Sequence, residues 1–127
     1  MAVEHHTSDR LPRPAGPYSH VTVAGGFVYT AGFGPQDPAT GDIPDGVGEQ
    51  TTAVLANVER ALGQVGLDLT DVVKATAHLQ HLARDFGEFN RAYEEAFSAP
   101  YPVRTTVGSD LLHILVEIDV VAALRGG

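Results

Sequence analysis

Apolar and polar positions alternate along this chain with two different periods, and the changes of period mark the elements. His20 to Gly32 reads HVTVAGGFVYTAG. Val21, Val23, Val28 and Thr30 favour strands, and Gly25–Gly26 between two short runs predicts a hairpin. Gly34 to Gly46 carries Pro35, Pro38, Gly41 and Pro44 and predicts a loop. From Glu49 to Val65, the residues Val54, Val58, Leu62 and Val65 recur at helical spacing, and Leu55 widens the stripe. Gly66 stands where a helix C-terminal glycine belongs. Asp71 to Gln80 then alternates as a strand, with Val73, Ala75, Ala77 and Leu79 on one face and Val72, Lys74, Thr76 and His78 on the other. Asp85 to Phe97 predicts a second amphipathic helix, striped by Phe86, Phe89, Tyr93 and Phe97. Asp85 is its expected N-cap or first-turn acid, and Pro100 and Pro102 close it. Val103–Ser109 and Ile114–Leu124 read as two more strands. In the last, Ile114, Val116, Ile118 and Val120 share a face opposite Leu115, Glu117, Asp119 and Val121. Residues 1–15 are polar, contain Pro12 and Pro14, and are expected to be irregular, with structure beginning near Tyr18.

The resulting order, β-β-α-β-α-β-β, predicts a single domain over residues 1–127: one sheet with helices packed on one side, an α+β or α/β sandwich. A single helix layer leaves the other sheet face bare. That face must be solvated or buried against other subunits, and Val121 and Leu115 beside Glu117 argue that it is not simply wet.

Composition narrows the function. At 127 residues the chain is 43% hydrophobic and 19% charged, which supports a packed core and argues against global disorder. The net charge of −8 argues against a protein that grips phosphate backbones, so no nucleic-acid partner is expected. A small anionic substrate needs only one well-placed arginine. There is no cysteine, which excludes a disulfide framework, a thiolate metal site and a cysteine nucleophile within this chain. No run approaches the ~18–20 apolar residues of a membrane helix, and MAVEHHTSDRLPRPAGPY lacks a signal-peptide core. A soluble cytoplasmic protein without a membrane partner is the expectation.

Two sets of residues carry candidate chemistry. Arg104, in the predicted strand YPVRTTVGS with Thr106 on the same face, reads about equally as a carboxylate anchor, through its planar fork, or as a solvated edge-strand arginine. Glu117 and Asp119 share one face of the last strand. A carboxylate flanked by Val116, Ile118 and Val120 can act as a general base toward water. By pattern alone, a solvated charged face or a salt bridge to Arg104 explains it better. His78-x-x-His81 has no partner at helix spacing, so no metal site is expected. No G-x-S-x-G context surrounds any serine, and the glycines of GGFVYTAGFG lack the lysine and helix start of a nucleotide loop.

GPY (Gly16–Tyr18), FVYTAG (Phe27–Gly32), DFGEFNRAYEEAF (Asp85–Phe97), YPVRTTV (Tyr101–Val107) and VEIDVVA (Val116–Ala122) occur in this order. Together they resemble the RidA/YjgF family of reactive-intermediate deaminases, in older naming the L-PSP endoribonucleases, over about residues 15 to 124. The resemblance implies a chorismate-mutase-like subunit with a mostly antiparallel mixed sheet and two helices on one face. It implies a homotrimer whose sheets form a barrel-like centre, with clefts between neighbouring subunits. The implied activity is cofactor-independent hydrolysis of imines and enamines such as 2-aminoacrylate and 2-iminopropanoate to 2-keto acids and ammonia. By position, Arg104 matches the arginine that grips the substrate carboxylate, and Glu117 the glutamate that orients or activates water. Tyr18 matches the tyrosine near the cleft, and Asn90 the asparagine of the second helix. Ala31, Gly32, Phe33 and Thr106 fall at the remaining substrate-binding positions. Three of these depart from the family pattern: Ala31 replaces a usual serine, Thr106 a usual cysteine, and Phe33 a common glutamine. The segment SDLLHI also lacks the proline often found there. These departures imply a more apolar cleft. The alternatives to imine hydrolysis are a pathway-specific enzyme for a bulkier substrate (hydrolysis, tautomerisation or cyclisation) and a non-catalytic metabolite-binding trimer. A ribonuclease fits the charge badly.

Overall fold

The computed structural model describes residues 2–126. Six strands, β1 (Glu4–His6), β2 (Val21–Ala24), β3 (Phe27–Thr30), β4 (Val72–Leu79), β5 (Val103–Gly108) and β6 (Val116–Ala123), form one sheet in the order β1-β2-β3-β6-β4-β5. Every neighbouring pair is antiparallel except β4–β5, which is parallel. That pair needs a crossover connection, and α2 (Leu82–Ala96) supplies it; α1 (Val47–Gly63) crosses between β3 and β4. The architecture is the α+β sheet with two helices anticipated above, and four differences from the sequence reading have physical causes.

Residues 4–6 are not irregular: they pair with Val21–Val23 and extend the sheet by one strand, and Leu11 is buried in the core. A three-residue strand is too short to show a period in sequence. The second difference lies in β4. The ladder to β6 slips between Val72 and Lys74, leaving Val73 without a partner. The bulge reverses the alternation, so Val72 is buried and Val73 faces out. Third, α2 starts at Leu82, three residues earlier than its apolar stripe implied, with His81 at the N-cap position and no side-chain cap; Asp85 is the first-turn acid, the second of the two roles expected, and accepts from Arg84 Nε and Nη2 at 2.8 and 2.9 Å. Finally, the last strand begins at Val116, and Phe86 is exposed although it belongs to the apolar stripe.

The core explains which face the helices occupy. Val54, Val58 and Leu62 of α1 and Phe89 of α2 pack on Val28, Ala75, Ala77, Leu79, Val116, Ile118 and Val120 of the sheet. Each fully buried large apolar side chain contributes about 1.5–3 kcal/mol of transfer free energy. Gly46 offers α1 no side-chain cap, and the Glu88 carboxylate of α2 accepts the Gly48 N–H instead, at 3.0 Å. Gly66, at φ +77°, ends the helix and returns the Leu67 N–H to the Leu62 carbonyl at 3.0 Å. The opposite face of the sheet carries no helix. It presents Phe27 and Tyr29 of β3, Val103 and Val107 of β5, Val121, and the polar residues Thr76, His78, Glu117 and Asp119.

Candidate functional site

Strand pairing places the two central candidate residues on different faces. Ala75 pairs with both Arg104 and Val120 and points to the helices, so Arg104 does too. Glu117 pairs with His78 on the bare face. A salt bridge between Arg104 and Glu117 within one chain is therefore excluded by geometry.

The Arg104 half lies between β5 and α2. Arg104 donates from Nη2 to Asn90 Oδ1 at 2.8 Å. Its guanidinium carbon lies 4.7 Å from the Tyr93 ring centre and 5.1 Å from that of Phe89. Phe86, at 6.0 Å, borders the same cation, which accounts for an aromatic left half in solvent. No described carboxylate forms an ion pair with Arg104. Asn90, Tyr93, Tyr101 and Arg104 line a cleft of about 410 Å³. Burial pushes the Tyr93 hydroxyl above its ordinary pKa, partly offset by Arg104. The half-site thus holds one oriented guanidinium on an aromatic floor, without a direct ion pair although Glu94 also lines the cleft, a geometry suited to a planar carboxylate.

The Glu117 half lies at the end of the bare face. Tyr18, Gly32, Phe33 and Glu117 line a cavity of about 440 Å³ with Pro12, Arg13, Leu112 and Ile114. A Cβ built on Gly32 would fall 2.7 Å from Glu117 Oε2, so the carboxylate lies directly against the backbone here. Phe33, bridged to Ile118, is buried and stacks on His20 with ring centres 5.6 Å apart. Glu117 has no hydrogen-bond or ion-pair partner among the described residues, which leaves both its oxygens available to a water or a ligand.

Of the residues picked out in sequence, Tyr18, Gly32, Phe33 and Glu117 come together in one cavity, and Asn90 and Arg104 in the other. Ala31 and Thr106 line neither. Asp119 belongs to a different arrangement: His78 lies with Nδ1 2.8 Å from Ser109 Oγ and Nε2 3.8 Å from Asp119 Oδ2. Burial pushes the Asp119 carboxyl up, against the pull of His78 and Lys74. The residues that hold the loops around the Glu117 cavity escaped the sequence reading. Asn57 donates to the Gly34 and Gln36 carbonyls at 3.0 and 2.9 Å. Gln50 donates to the Pro44 carbonyl and accepts the Leu115 N–H, both at 2.8 Å. The available signal was an amide on the inner, apolar face of α1, where an unpartnered polar group would be costly.

The fold and the two half-sites define a class: a small α+β subunit with a helix-covered face, a bare face, and a free cation and free carboxylate held apart. The family model described as Endoribonuclease L-PSP matches residues 8–124. A RutC family protein of Pyrococcus abyssi is 38% identical over 125 residues, 96% of this chain and 98% of that protein. The 2-iminobutanoate/2-iminopropanoate deaminase of Bos taurus is 35% identical over 96 residues, 75% of this chain and 69% of that one. The crystal structure of TdcF from E. coli with bound serine superposes with a TM-score of 0.86 at 30% identity, covering 96% of this chain and 99% of that chain. The chain belongs to the RidA/YjgF family, the family of the L-PSP model.

Proposed function

We propose that this protein hydrolyses 2-imino and enamine acids to 2-keto acids and ammonia, in clefts formed when the Arg104 half of one copy meets the Glu117 half of another in a homotrimer. The observation that carries this reading is the division of the site. One chain holds an unpaired, oriented guanidinium on one sheet face and an unpartnered carboxylate on the other. A second copy docked on the bare face would unite them and would also cover Phe27, Tyr29, Val103 and Val107. Arg104, steadied by Asn90, binds the substrate carboxylate. Glu117, against Gly32, takes a proton from water as the water oxygen bonds to the iminium carbon. Glu117 then returns that proton to the carbinolamine nitrogen, and as the C–N bond breaks the hydroxyl gives its proton to Glu117, leaving ammonia and the 2-keto acid; the proton finally passes to solvent. An iminium carbon is already electrophilic, so positioning and one base suffice and no cofactor is required. The name of the bovine relative and the serine bound to TdcF support an amino-acid-derived, carboxylate-bearing substrate.

One observation favours a bulkier substrate. The wall of the Glu117 cavity includes Phe33, Leu112 and Ile114, apolar side chains that would pack on a larger substrate side chain than a methyl group. The test is to generate 2-aminoacrylate from serine with a dehydratase, and larger imines from leucine and phenylalanine with an amino-acid oxidase, and to follow keto-acid release above the uncatalysed rate. Acceleration of any of them supports imine hydrolysis, and a preference for the larger ones supports the second reading. Binding of keto acids without acceleration makes the protein a metabolite-binding trimer. A monomer mass by light scattering at micromolar concentration removes the intersubunit site.

A further inference from the structure

His20 is buried, at 1% exposure, and takes no part in the chemistry proposed above. Its ring nitrogens define a single protonation pattern. Nε2 lies 2.7 Å from the Pro12 carbonyl oxygen, which only accepts, so Nε2 carries the proton. The Ser8 N–H, which only donates, points at Nδ1 from 3.1 Å, so Nδ1 is bare. The backbone of His20 continues the connections: its N–H donates to the His6 carbonyl at 3.1 Å, and its carbonyl accepts the Ala31 N–H at 3.0 Å. Its ring stacks on Phe33, and both residues line the Glu117 cavity.

The segment this ring holds forms one side of the Glu117 cavity. Pro12, Arg13, Ala15 and Tyr18 line it, and none belongs to a helix or strand. Two of the segment's hydrogen bonds are internal: Ala15 N–H to the Tyr18 hydroxyl at 3.0 Å, and Tyr18 N–H to the Gly16 carbonyl at 2.9 Å. Among the described residues, the hydrogen bond that ties residues 12–18 to the rest of the chain is the one His20 Nε2 donates to the Pro12 carbonyl. Tyr18 itself is 48% exposed, so packing alone holds it loosely.

We propose that His20 is a positioning residue: its neutral ring clamps residues 8–12 and thereby keeps the wall carrying Arg13 and Tyr18 in place across the cavity from Glu117. The inference rests on the proposed imine-hydrolysing site for its kinetic consequence, but the clamp itself is a property of the fold. A residue present only to fill the core would be replaced better by leucine than by glutamine. A clamp predicts the reverse, because glutamine has both an N–H to offer Pro12 and an oxygen to accept from Ser8.

The experiment compares His20→Leu, His20→Asn and His20→Gln by hydrogen–deuterium exchange and by steady-state imine hydrolysis. Losing one buried hydrogen-bond pair should open the segment about tenfold or more. In His20→Leu, exchange of the Ser8, Ala15 and Tyr18 amides should rise by that factor while β2–β6 stay protected. KM should rise more than kcat falls, because a displaced wall weakens substrate binding first. His20→Gln should restore both. Should the leucine variant fail to fold, His20→Asn, too short to span both partners, replaces it in the comparison. Unchanged exchange in the leucine and asparagine variants, or a glutamine variant no better than leucine, overturns the clamp. A wild-type protein that hydrolyses no imine removes the proposed function instead, and exchange of the Ser8, Ala15 and Tyr18 amides still decides the clamp.

Discussion

Gly32→Ala tests the link between the backbone and the proposed base. Gly32 does not have the positive φ that only glycine tolerates well, so alanine is compatible with its backbone. What the methyl meets is Glu117: Oε2 at 2.7 Å, Cδ at 2.9 Å and Cγ at 3.1 Å. Favourable contacts between heavy atoms begin at about 3.5 Å, so the carboxylate must retreat by roughly 0.8 Å. Glu117 is partly exposed beside a cavity, and because the contact extends back to Cγ the whole side chain must rotate to make room. The fold should survive, with a stability change inside the usual 0.5–3 kcal/mol of a point substitution. Catalysis should not survive as well. A displacement near 1 Å costs up to about 10²-fold in rate, so kcat for imine hydrolysis should fall roughly 10–100-fold while 2-keto acids, held through Arg104, still bind. The assay is keto-acid release from enzymatically generated imine, background subtracted, beside calorimetric titration with the keto acid. A Gly32→Ala variant with wild-type kcat would refute the placement of Glu117 as the water-activating group, since the nearest perturbation possible would have left it indifferent.

Arg104→Lys keeps the charge but not the fork or the Asn90 contact; at ~1.5–3 kcal/mol per charge-assisted hydrogen bond, keto-acid affinity measured by titration should weaken ~10–150-fold. Glu117→Gln should retain assembly and ligand binding and lose ~10²–10⁴ in rate. Asp119→Asn should leave the rate nearly unchanged, because its carboxylate faces His78 rather than the cavity. Arg125 donates to both carboxylate oxygens of Asp71 and, with the Asp68 N–H, holds that carboxyl below its ordinary 3.8. A carboxyl lowered in the folded state stabilises at pH values above its unfolded pKa and loses that contribution as pH falls through the folded one. Arg125→Ala should therefore lower the melting temperature at neutral pH and shrink the further loss seen on acidification below about pH 4.

The sequence by itself determined the elements with long, clean periods. Two amphipathic helices and the strands containing Ala75–Leu79 and Val116–Val120 follow from alternation alone, because each buries one face and the side chains must repeat accordingly. Placing Glu117 and Asp119 on one face needed nothing more. The same local logic missed whatever depends on a partner distant in the chain. The bulge at Val73 arises where β4 and β6 disagree in length of path, and it shows only once both strands are paired. The strand at Glu4–His6 exists because β2 offers an edge to it. Pattern left open whether Arg104 was an anchor or a solvated edge residue. The aromatic floor of α2 and the Asn90 contact decided for an oriented guanidinium, and the β4 register decided that it and Glu117 cannot meet within one subunit. His20 shows the limit most clearly. A lone histidine at a strand end carries no signal of its own, and its role is defined by two backbone groups 8 and 12 residues away that only the tertiary fold brings to its ring.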